Sequence, residues 1–279
     1  MNHVGIRKGE EMIGFEKKTA LITGASSEIG ESFAETLAAR GTNVILVARS
    51  KGKLDRLAAK IRKARKVAVE VIVADLTEEK APDKVYSAVK KLGHHVDILI
   101  NNAGFGSHGP FHTLSTNEDH KEIMLNVVAL VRLTHLFLPR MVEGREGIVI
   151  NVASTAAFQP TPFMAVYGAS KAFVLSFSEA LWAEYRSHGI RVLDLCPGAT
   201  ETNFSKVAGE SAAVGKKRTV ESVIASALKA LERGKSYVVD GRLNYIMTQS
   251  IRLSPRGLVA RVAARMMKPK ERNKGGSRR

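Results

Sequence analysis

Short apolar runs alternate with amphipathic stretches along most of the chain. The apolar runs lie at residues 19–24, 43–48, 67–74, 96–100, 147–153, 190–196 and 237–239. Strands of a parallel sheet are covered by helices on both faces, so they read as continuous apolar runs rather than as alternating ones. The pattern therefore predicts an α/β fold with a doubly wound parallel sheet of about seven strands and helices on both faces.

The stretches between these runs carry apolar residues at helical spacing. We expect helices at 31–40, 51–66, 82–92, 117–141, from just before Tyr167 to about 188, and 219–233. The longest predicted helix, 117–141, has five apolar side chains that we expect to face the core: Met124, Val127, Val128, Val131 and Leu138. Asn126 lies among them, and an amide on that face needs hydrogen-bonding partners.

Length and composition indicate one large domain. The chain has 279 residues, of which 44% are hydrophobic. We expect a flexible leader at 1–16, one domain at 17–249, and a basic helix and tail at 250–279. The leader lacks the apolar core of a secretion signal, and no apolar run reaches the roughly 18 residues of a membrane span. The single cysteine, Cys196, lies in an apolar run, which indicates a buried thiol and a cytoplasmic, reducing compartment.

The charge of the chain is concentrated at its C-terminal end. The formal net charge is +16, of which residues 250–279 contribute +9. Such a charge is compatible with nucleic acid or with an anionic membrane as partner. The basic residues are not interleaved with aromatic ones and no nucleic-acid-binding module is recognisable, so we expect no specific nucleic acid.

A helix beginning at Pro255 is expected in this basic segment. It would place Leu258, Val259, Val262, Met266 and Met267 on one side, and Arg261, Arg265 and Lys268 on the other. An apolar face opposite a cationic one is typical of a helix that lies in a membrane interface. The alternative is a helix packed on its own domain or on a partner subunit, with its arginines in solvent.

A glycine-containing turn follows the first predicted strand. Residues 24–30 read Gly-Ala-Ser-Ser-Glu-Ile-Gly and lead into a helix, a context in which backbone N–H groups bind phosphate. The second strand is followed by Arg49, where a site for NAD would carry an acid that binds the ribose hydroxyls. A guanidinium there pairs with a 2′-phosphate, which favours NADP(H). A solvated arginine with no ligand is the alternative.

The sequence from Ser154 to Lys171 contains candidate catalytic chemistry. In a helix, Tyr167 and Lys171 lie one turn apart on the same face, and a cation beside a phenol lowers the pKa of that phenol. Ser154 follows a predicted strand, so that its hydroxyl and the Tyr167 phenol could hold one carbonyl oxygen. Taken alone, such a pair is also common on the surfaces of helices.

The loops expected at the carboxyl edge of the sheet are rich in apolar side chains, which favours an apolar substrate. These side chains are Phe105, Phe111, Phe158, Phe163, Met164 and Phe204. Residues 199–218, with little periodicity, are expected to form a lid over this edge. His108 and His112 are separated by Gly109-Pro110, which breaks a helix, so we expect no metal site.

These motifs together resemble those of the short-chain dehydrogenase/reductase family. They are Thr23-Gly-Ala-Ser-Ser-Glu-Ile-Gly30, Asp75-Leu76, Asn101-Asn-Ala-Gly104, Asn126, Ser154, Tyr167-Gly-Ala-Ser-Lys171 and Pro197-Gly198. The resemblance covers roughly residues 17–241. It implies a Rossmann-type oxidoreductase that uses NAD(H) or NADP(H) and forms a homodimer or homotetramer through its long central helices.

The resemblance also implies a role for each of four catalytic residues. Tyr167 is the general acid/base for the carbonyl oxygen, and Ser154 binds that oxygen as charge develops on it. Lys171 lowers the Tyr167 pKa and holds the nicotinamide ribose. Asn126 positions a water that relays protons to Lys171.

The cofactor-binding residues implied in the same way follow the chain. They are Gly24, Ser26, Ser27, Ile29 and Gly30 at the pyrophosphate, Arg49 at the 2′-phosphate, Asp75 and Leu76 at the adenine, Asn102, Ala103 and Gly104 at the adenosine, and Pro197, Gly198, Thr200, Thr202, Tyr167 and Lys171 at the nicotinamide end. One position departs from the family pattern, because Glu28 stands where the family has glycine.

The sequence thus predicts an oxidoreductase that transfers a hydride between NADP(H), preferred over NAD(H), and the carbonyl or alcohol carbon of a small apolar substrate. The alternative is a family member that binds the nucleotide without turnover and acts as a scaffold or regulator. We expect a cytoplasmic protein, with a peripheral contact to anionic membrane through its C-terminal helix as an open alternative.

Overall fold

The computed structural model describes residues 14–202 and 217–269 of the chain. In this part, one sheet contains seven strands: β1 (Thr19–Thr23), β2 (Asn43–Ala48), β3 (Val69–Val73), β4 (Ile98–Asn101), β5 (Gly147–Val152), β6 (Ile190–Cys196) and β7 (Tyr237–Val239). Their order is β3-β2-β1-β4-β5-β6-β7, and every neighbouring pair is parallel. The predicted doubly wound parallel sheet is confirmed.

Helices cover both faces of this sheet. They are α1 (Glu28–Ala39), α2 (Lys51–Ala64), α3 (Ala81–Lys91), α4 (Thr116–Ile123), α5 (Leu130–Gly144), α6 (Ala165–Tyr185), α7 (Val220–Glu232), α8 (Arg242–Arg252) and α9 (Arg256–Met267). Helices α1, α2 and α7 pack on one face, whereas α3, α5 and α6 pack on the other. Along β1, Ala20 and Ile22 face the first layer and Leu21 faces the second, which explains why the strand is apolar throughout.

Helix α4 continues into α5 through a π-helical segment, Met124–Ala129. The inward face predicted from sequence is wrong in this region, because Val128 is 39% exposed and Met124, Val127 and Val131 are only half-buried. The other buried residues are Glu122, Ala129, Leu130 and Leu133, whereas Asn126 and Leu138 are buried as predicted. A π-helical turn forms i→i+5 hydrogen bonds and changes the residue spacing, so a regular helical period selects the wrong side chains.

The helical span Thr116–Gly144 is long and apolar enough to cross a bilayer by length and composition. It nevertheless packs against the sheet, with Leu133 and Phe137 in the core. The buried polar residues Asn126 and Glu122 also lie on its inner side. The span is therefore a core helix of this domain.

Both ends of the described chain depart from the predicted domain limits. Phe15, assigned to the flexible leader, is buried, and its carbonyl oxygen accepts a hydrogen bond from Thr42 Oγ1 at 2.7 Å. Helix α8 is absent from the sequence prediction, and it crosses residue 249, the predicted end of the domain. Helix α9 packs Ala263 and Met267 against the domain, so that the folded body extends at least to Met267.

Candidate active site

The candidate residues converge at the carboxyl edge of the sheet. The strand order reverses between β1 and β4, and the crevice at such a switch point is where doubly wound sheets bind ligands. The glycine turn follows β1, Asn102 to Gly104 follow β4, Ser154 follows β5, and Pro197 follows β6. The topology therefore brings together residues that are far apart in sequence.

Two glycines make the turn after β1 possible. Gly24 has φ +63°, and a Cβ atom there would lie 2.8 Å from Asn102 Nδ2 and 2.9 Å from Ala103 Cα. A Cβ at Gly30 would lie 2.4 Å from the Gly24 carbonyl oxygen. Both contacts are far closer than van der Waals distance, so only glycine fits at either position.

Hydrogen bonds hold this turn against Asn102, the first residue of the loop that follows β4. Ser27 caps α1, because its Oγ accepts a hydrogen bond from Gly30 N at 3.4 Å and donates one to Gly24 O at 2.8 Å. Asn102 Nδ2 donates to the carbonyl oxygens of Thr23 and Gly24 at 3.0 and 3.1 Å and to Ser27 Oγ at 3.2 Å. The turn is preorganised with the N-terminus of α1 beside it, as a phosphate site requires.

The remaining residues of the turn lie within or just before α1. Ser26 and Ile29 are half-buried, and Ile29 packs against the core. Glu28 is the first residue of α1, which begins earlier than the predicted residue 31. An acid in the first helical turn is stabilised by the helix dipole, which gives Glu28 a structural reason to be there.

Arg49 and Asp75 lie together beyond the ends of β2 and β3. Arg49 Nη1 is 3.8 Å from Asp75 Oδ2, and the Arg49 side chain is 70% exposed. Partial burial would raise the Asp75 pKa, but hydrogen bonds from Thr77 N and Oγ1 and the charge of Arg49 lower it below its usual value. Leu76 beside them is buried. An exposed guanidinium and an ionised carboxylate thus border the predicted adenosine end.

Asn126 is the polar centre of the π-helical segment. Its amide exchanges two hydrogen bonds with the backbone of Phe105, at 3.2 Å from Phe105 N and 2.9 Å to Phe105 O, and its Nδ2 also donates to Ser170 Oγ at 3.0 Å. A Cβ at Gly104 would lie 3.0 Å from Asn126 Oδ1 and 3.2 Å from Lys171 Nζ. Asn126 therefore ties the loop after β4 to α6, as its buried amide required.

Ser154, Tyr167 and Lys171 come together beneath this loop. The Ser154 side chain is hydrogen-bonded to the Tyr167 phenol. Lys171 Nζ donates to the Val152 carbonyl oxygen at 2.8 Å and lies 5.7 Å from the centre of the Tyr167 ring. Both Tyr167 and Lys171 are buried, which is inconsistent with a solvated surface pair.

The pKa values in this structure differ from the sequence expectation. Burial raises the pKa of Tyr167 to about 12, although the Ser154 hydrogen bond opposes the shift. Burial lowers the pKa of Lys171 to about 8, against the charges of Asp194 and Glu122. The expected lowering of the Tyr167 pKa by Lys171 is therefore not seen, because desolvation of the phenol outweighs the effect of an amine that is directed at Val152 O.

The segment after β6 is held close to α8. Thr155 N donates to Pro197 O at 3.0 Å, and a Cβ at Gly198 would lie 2.4 Å from Asn244 Nδ2. Thr200 Oγ1 donates to Gly198 O at 3.0 Å, and Thr202 N donates to Thr200 O at 2.8 Å. Thr200 also pairs with Arg218, which joins the two ends of the predicted lid. Residues 203–216 of that lid, including Phe204, lie outside the described residues.

The apolar residues predicted to line the site are in part elsewhere. Phe111 is 64% exposed, and Phe158 packs against Tyr237. Met164 contacts Tyr167 and is joined there by Met267 from α9. Phe163 and His108 complete this cluster, and His108 Nε2 is hydrogen-bonded to the Met267 carbonyl oxygen at 2.9 Å. Helix α9 thus closes one side of the site, which periodicity did not predict.

Glu122 is a buried carboxyl group that the sequence analysis missed. It lies in the last turn of α4, one turn before Asn126, and its Oε2 accepts a hydrogen bond from Ser107 N at 3.0 Å. Its Oε1 is buried without a hydrogen-bonding partner among the described residues. Burial raises the pKa of Glu122 to about 7, and its charge acts on both Lys171 and Tyr167. The sequence did not indicate this burial, because Glu122 lies in α4 among other charged residues that are at least partly exposed to solvent.

We expect Glu122→Gln to flatten the dependence of stability on pH. The Glu122 pKa is 4.5 in the unfolded chain and about 7 in the folded one, so the folded state holds the proton more tightly and stability falls as pH rises between these values. Glutamine stays neutral and keeps an oxygen for Ser107 N–H.

The unfolding temperature, measured near pH 5 and near pH 8, should therefore change less in the variant. Glu118→Gln, an exposed position on the same helix, is the matched control and should leave the wild-type difference intact. An unchanged difference in Glu122→Gln would show that Glu122 is ionised in the folded protein.

A second buried carboxyl group, Asp194 on β6, also acts on Lys171. Its Oδ2 accepts a hydrogen bond from Cys196 Sγ at 2.9 Å, and burial raises its pKa to about 7. Burial likewise raises the Cys196 pKa well above the usual value, in agreement with the predicted unreactive thiol. The charges of Asp194 and Glu122 therefore both raise the pKa of Lys171, against the lowering by burial. Across residues 14–202 and 217–269, no three His, Cys, Asp or Glu side chains cluster as metal ligands do.

Comparison with known proteins places this arrangement among related enzymes. The family model described as short chain dehydrogenase matches residues 18–213. The very-long-chain 3-oxoacyl-CoA reductase of Macaca fascicularis is 34% identical over 236 residues, covering 82% of this chain and 74% of that protein.

Solved structures with the same fold include complexes with either nicotinamide cofactor. A short-chain dehydrogenase from Sphingobium yanoikuyae in complex with NADPH has a TM-score of 0.78 and 34% identity, covering 91% of this chain and 97% of that one. A short-chain dehydrogenase/reductase from Burkholderia phymatum in complex with NAD has a TM-score of 0.77 and 25% identity, covering 85% and 94%.

Proposed function

The chain belongs to the short chain dehydrogenase family and is an oxidoreductase, and from this premise we propose that it reduces the carbonyl group of a long apolar substrate with NADPH. The observation that carries the proposal is the convergence of Ser154, Tyr167, Lys171 and Asn126 beside the glycine turn of β1. A phenol and a hydroxyl that share a hydrogen bond in a buried site form a ready receptor for one carbonyl oxygen.

The residues present fit a dinucleotide. The N-terminus of α1 beside the tight turn at Gly24 provides a site for a pyrophosphate, and exposed Arg49 next to ionised Asp75 provides one for a phosphorylated ribose. Pro197, Gly198, Thr200 and Thr202 border the opposite end. When bound, NADPH supplies the hydride, and the protein orients and polarises the reactants.

Ser154 and Tyr167 handle the carbonyl oxygen in this proposal. Each hydroxyl donates a hydrogen bond to the oxygen as negative charge develops on it, and Tyr167 then transfers its proton to it. Burial keeps the phenol protonated at neutral pH, since its pKa is raised to about 12. Tyr167 is therefore suited to be the acid in the direction of carbonyl reduction.

Lys171 returns a proton to Tyr167, and Asn126 positions the water that relays protons to Lys171. An amine with a pKa of about 8 gains and loses a proton readily near neutral pH. The Lys171 side chain lies on the same face of α6 as the phenol. Its Nζ and Asn126 Oδ1 both border Gly104, because a Cβ at Gly104 would lie 3.2 Å from Nζ and 3.0 Å from Oδ1. Buried Glu122 and Asp194 offset the charge of the protonated amine.

The substrate is proposed to be a 3-oxoacyl thioester or another carbonyl compound with a long apolar chain. The side of the site next to Tyr167 is formed by Phe163, Met164 and Met267. Methionine side chains are unbranched and adapt to flexible alkyl groups. The name of the Macaca relative supports the same chemical class.

A second copy of the chain is proposed to cover α4 to α6. Ile123, Val128 and Phe173 on these helices are exposed by 45%, 39% and 41%, and Phe173 stacks on Phe177. Large apolar side chains at the surface of central helices support the homodimer or homotetramer expected from the resemblance.

Arg49→Ala should remove most of the preference for NADPH over NADH. A guanidinium that pairs with the 2′-phosphate is expected to make NADPH bind at least about tenfold more tightly, which is about 1.4 kcal/mol. Nicotinamide fluorescence titrations give both dissociation constants. Lys63→Ala, at the far end of the neighbouring helix α2, is the matched control and should keep the preference. Equal affinities for NADPH and NADH in the unmodified protein would refute the assignment.

A further inference from the structure

Helix α8 exposes apolar side chains along one stripe. Leu243, Ile246 and Met247, at positions i, i+3 and i+4, are exposed by 69%, 62% and 46%. The opposite side of the helix holds it to the domain, where Thr248 is buried and Asn244 Nδ2 donates to the Asp240 carbonyl oxygen at 2.8 Å. The helix is therefore fixed with its apolar side turned outward.

Helix α9 continues this exposed apolar surface. Leu258, Val262 and Met266 lie at i, i+4 and i+8 and are exposed by 49%, 47% and 52%. Ala263 and Met267, on another side of the helix, are the residues that pack on the domain. Leu253, between the two helices, is 91% exposed. The sequence expectation that Met267 shares a face with Val262 is thus corrected, because the helix has separate buried and exposed apolar faces.

Only positive charges accompany these side chains. Between residues 242 and 269 there are six basic residues and no acidic one: Arg242, Arg252, Arg256, Arg261, Arg265 and Lys268. Around α9, the positions of Arg261 and Arg265 fall directly beside the stripe of Leu258 and Val262, which corrects the expectation that they lie on the opposite side. Single exposed apolar residues are ordinary, but a stripe on two consecutive helices bordered by cations marks an interaction surface.

We propose that α8 and α9 dock the enzyme on an anionic lipid bilayer, with the apolar stripe at the level of the headgroups and the arginines on acidic lipids. Charge favours this occupant, since a bilayer containing acidic lipid attracts each of the six cations. An identical copy would place the same cations opposite one another in a two-fold interface and would be repelled. The stripes themselves are aliphatic, and Tyr245 is the single aromatic residue in α8 and α9, whereas single-stranded nucleic acid is bound by several rings that stack on successive bases.

The docked surface adjoins the candidate active site. Met267, the last residue of α9, belongs to one buried cluster with Met164 and Tyr167, and its carbonyl oxygen is hydrogen-bonded to His108 Nε2. A long apolar substrate dissolved in the bilayer therefore reaches the site along α9 without crossing water. This consequence rests on the proposed function, whereas docking itself does not.

Vesicle flotation tests the docking without any substrate. The full chain should float with phosphatidylcholine vesicles that contain phosphatidylglycerol, should be released by high salt, and should not float with pure phosphatidylcholine. Arg261→Gln/Arg265→Gln should weaken binding at least about tenfold, from roughly 1 kcal/mol for each charge. Ile246→Ser/Val262→Ser should weaken it similarly, because the apolar contact is lost. Leu92→Ser, which removes an exposed leucine at the C-terminal cap of α3, is the matched control and should bind as the wild type does.

Other outcomes overturn the proposal. Wild-type protein that ignores anionic vesicles, or that binds neutral and anionic vesicles equally, would exclude an anionic bilayer as the occupant. If Ile246→Ser/Val262→Ser instead dissociates an oligomer, a second copy covers the surface. Circular dichroism of each variant shows whether weaker vesicle binding is caused by loss of folding. If Ile246→Ser/Val262→Ser is unfolded, the test of docking rests on Arg261→Gln/Arg265→Gln. Turnover of a short soluble ketone should be unchanged in all folded variants. Absence of turnover of every 3-oxoacyl thioester by the wild type would refute the proposed function without affecting the binding result.

Discussion

Replacing Tyr167 with phenylalanine is expected to lower kcat by about 10²- to 10⁴-fold, the range typical of lost general acid catalysis. The hydroxyl is the proton donor of the proposed reaction and is hydrogen-bonded to Ser154. The ring itself is buried against Met164 and Met267, and phenylalanine preserves that packing. The variant should therefore fold normally and still bind NADPH, since the hydroxyl is a small part of the cofactor contact.

Steady-state turnover together with a fluorescence titration separates these two effects. The matched control is Tyr185→Phe at the end of the same helix, which should change neither kcat nor the NADPH dissociation constant. If Tyr167→Phe keeps most of its rate, another group protonates the carbonyl oxygen. If it loses NADPH binding as well, Tyr167 has a larger structural role than the packing indicates.

Gly30→Ala is expected to have the second large effect, on NADPH binding. The new methyl group would lie 2.4 Å from the Gly24 carbonyl oxygen and 2.8 Å from Asn102 Nδ2, so the turn must open to accept it. Overpacking of this kind costs about 1–3 kcal/mol, and the displaced N-terminus of α1 no longer aligns with the pyrophosphate. We expect the NADPH dissociation constant to rise more than about tenfold, together with a lower unfolding temperature.

Gly144→Ala supplies the comparison for this prediction, because a Cβ at that position would have no heavy atom within 4 Å beyond its chain neighbours and the backbone of its own helix. It should leave the NADPH affinity unchanged. Wild-type affinity in Gly30→Ala would mean that the turn relaxes without cost and is not the phosphate site.

The sheet was predictable because both of its faces are buried. In β1, side chains of alternating direction enter two different cores, so the strand must be apolar throughout. The glycine turn was predictable because its requirement is local, as the φ of Gly24 demonstrates. Ser154, Tyr167 and Lys171 could be placed together because each lies at a fixed offset from a strand end or a helix start.

The features that were missed depend on contacts distant in sequence or on irregular backbone. In the sequence, Glu122 is one of several charged residues in a polar helix. Only the fold shows that the loop carrying Ser107 covers it. The π-helical segment around Asn126 alters the spacing on which the inward face was predicted. The pKa of Tyr167 depends on how deeply the phenol is buried, and periodicity does not measure desolvation.

The C-terminal helices show the same limit. Their apolar residues repeat at helical spacing, but periodicity alone does not tell which stripe packs on the domain. In α9 the buried positions are Ala263 and Met267, whereas the larger stripe of Leu258, Val262 and Met266 is exposed. Only the packing of Met267 beside Tyr167 assigns the faces.

NADPH oxidation with a series of 3-oxoacyl thioesters of increasing chain length tests the proposed reaction most directly. NADPH should bind saturably, should be consumed only when a carbonyl substrate is present, and should be consumed with higher kcat/KM as the acyl chain lengthens. Saturable binding of NADPH without consumption for any chain length would instead identify a nucleotide-binding protein that does not turn over, and the roles of Ser154, Tyr167 and Lys171 would have to be abandoned.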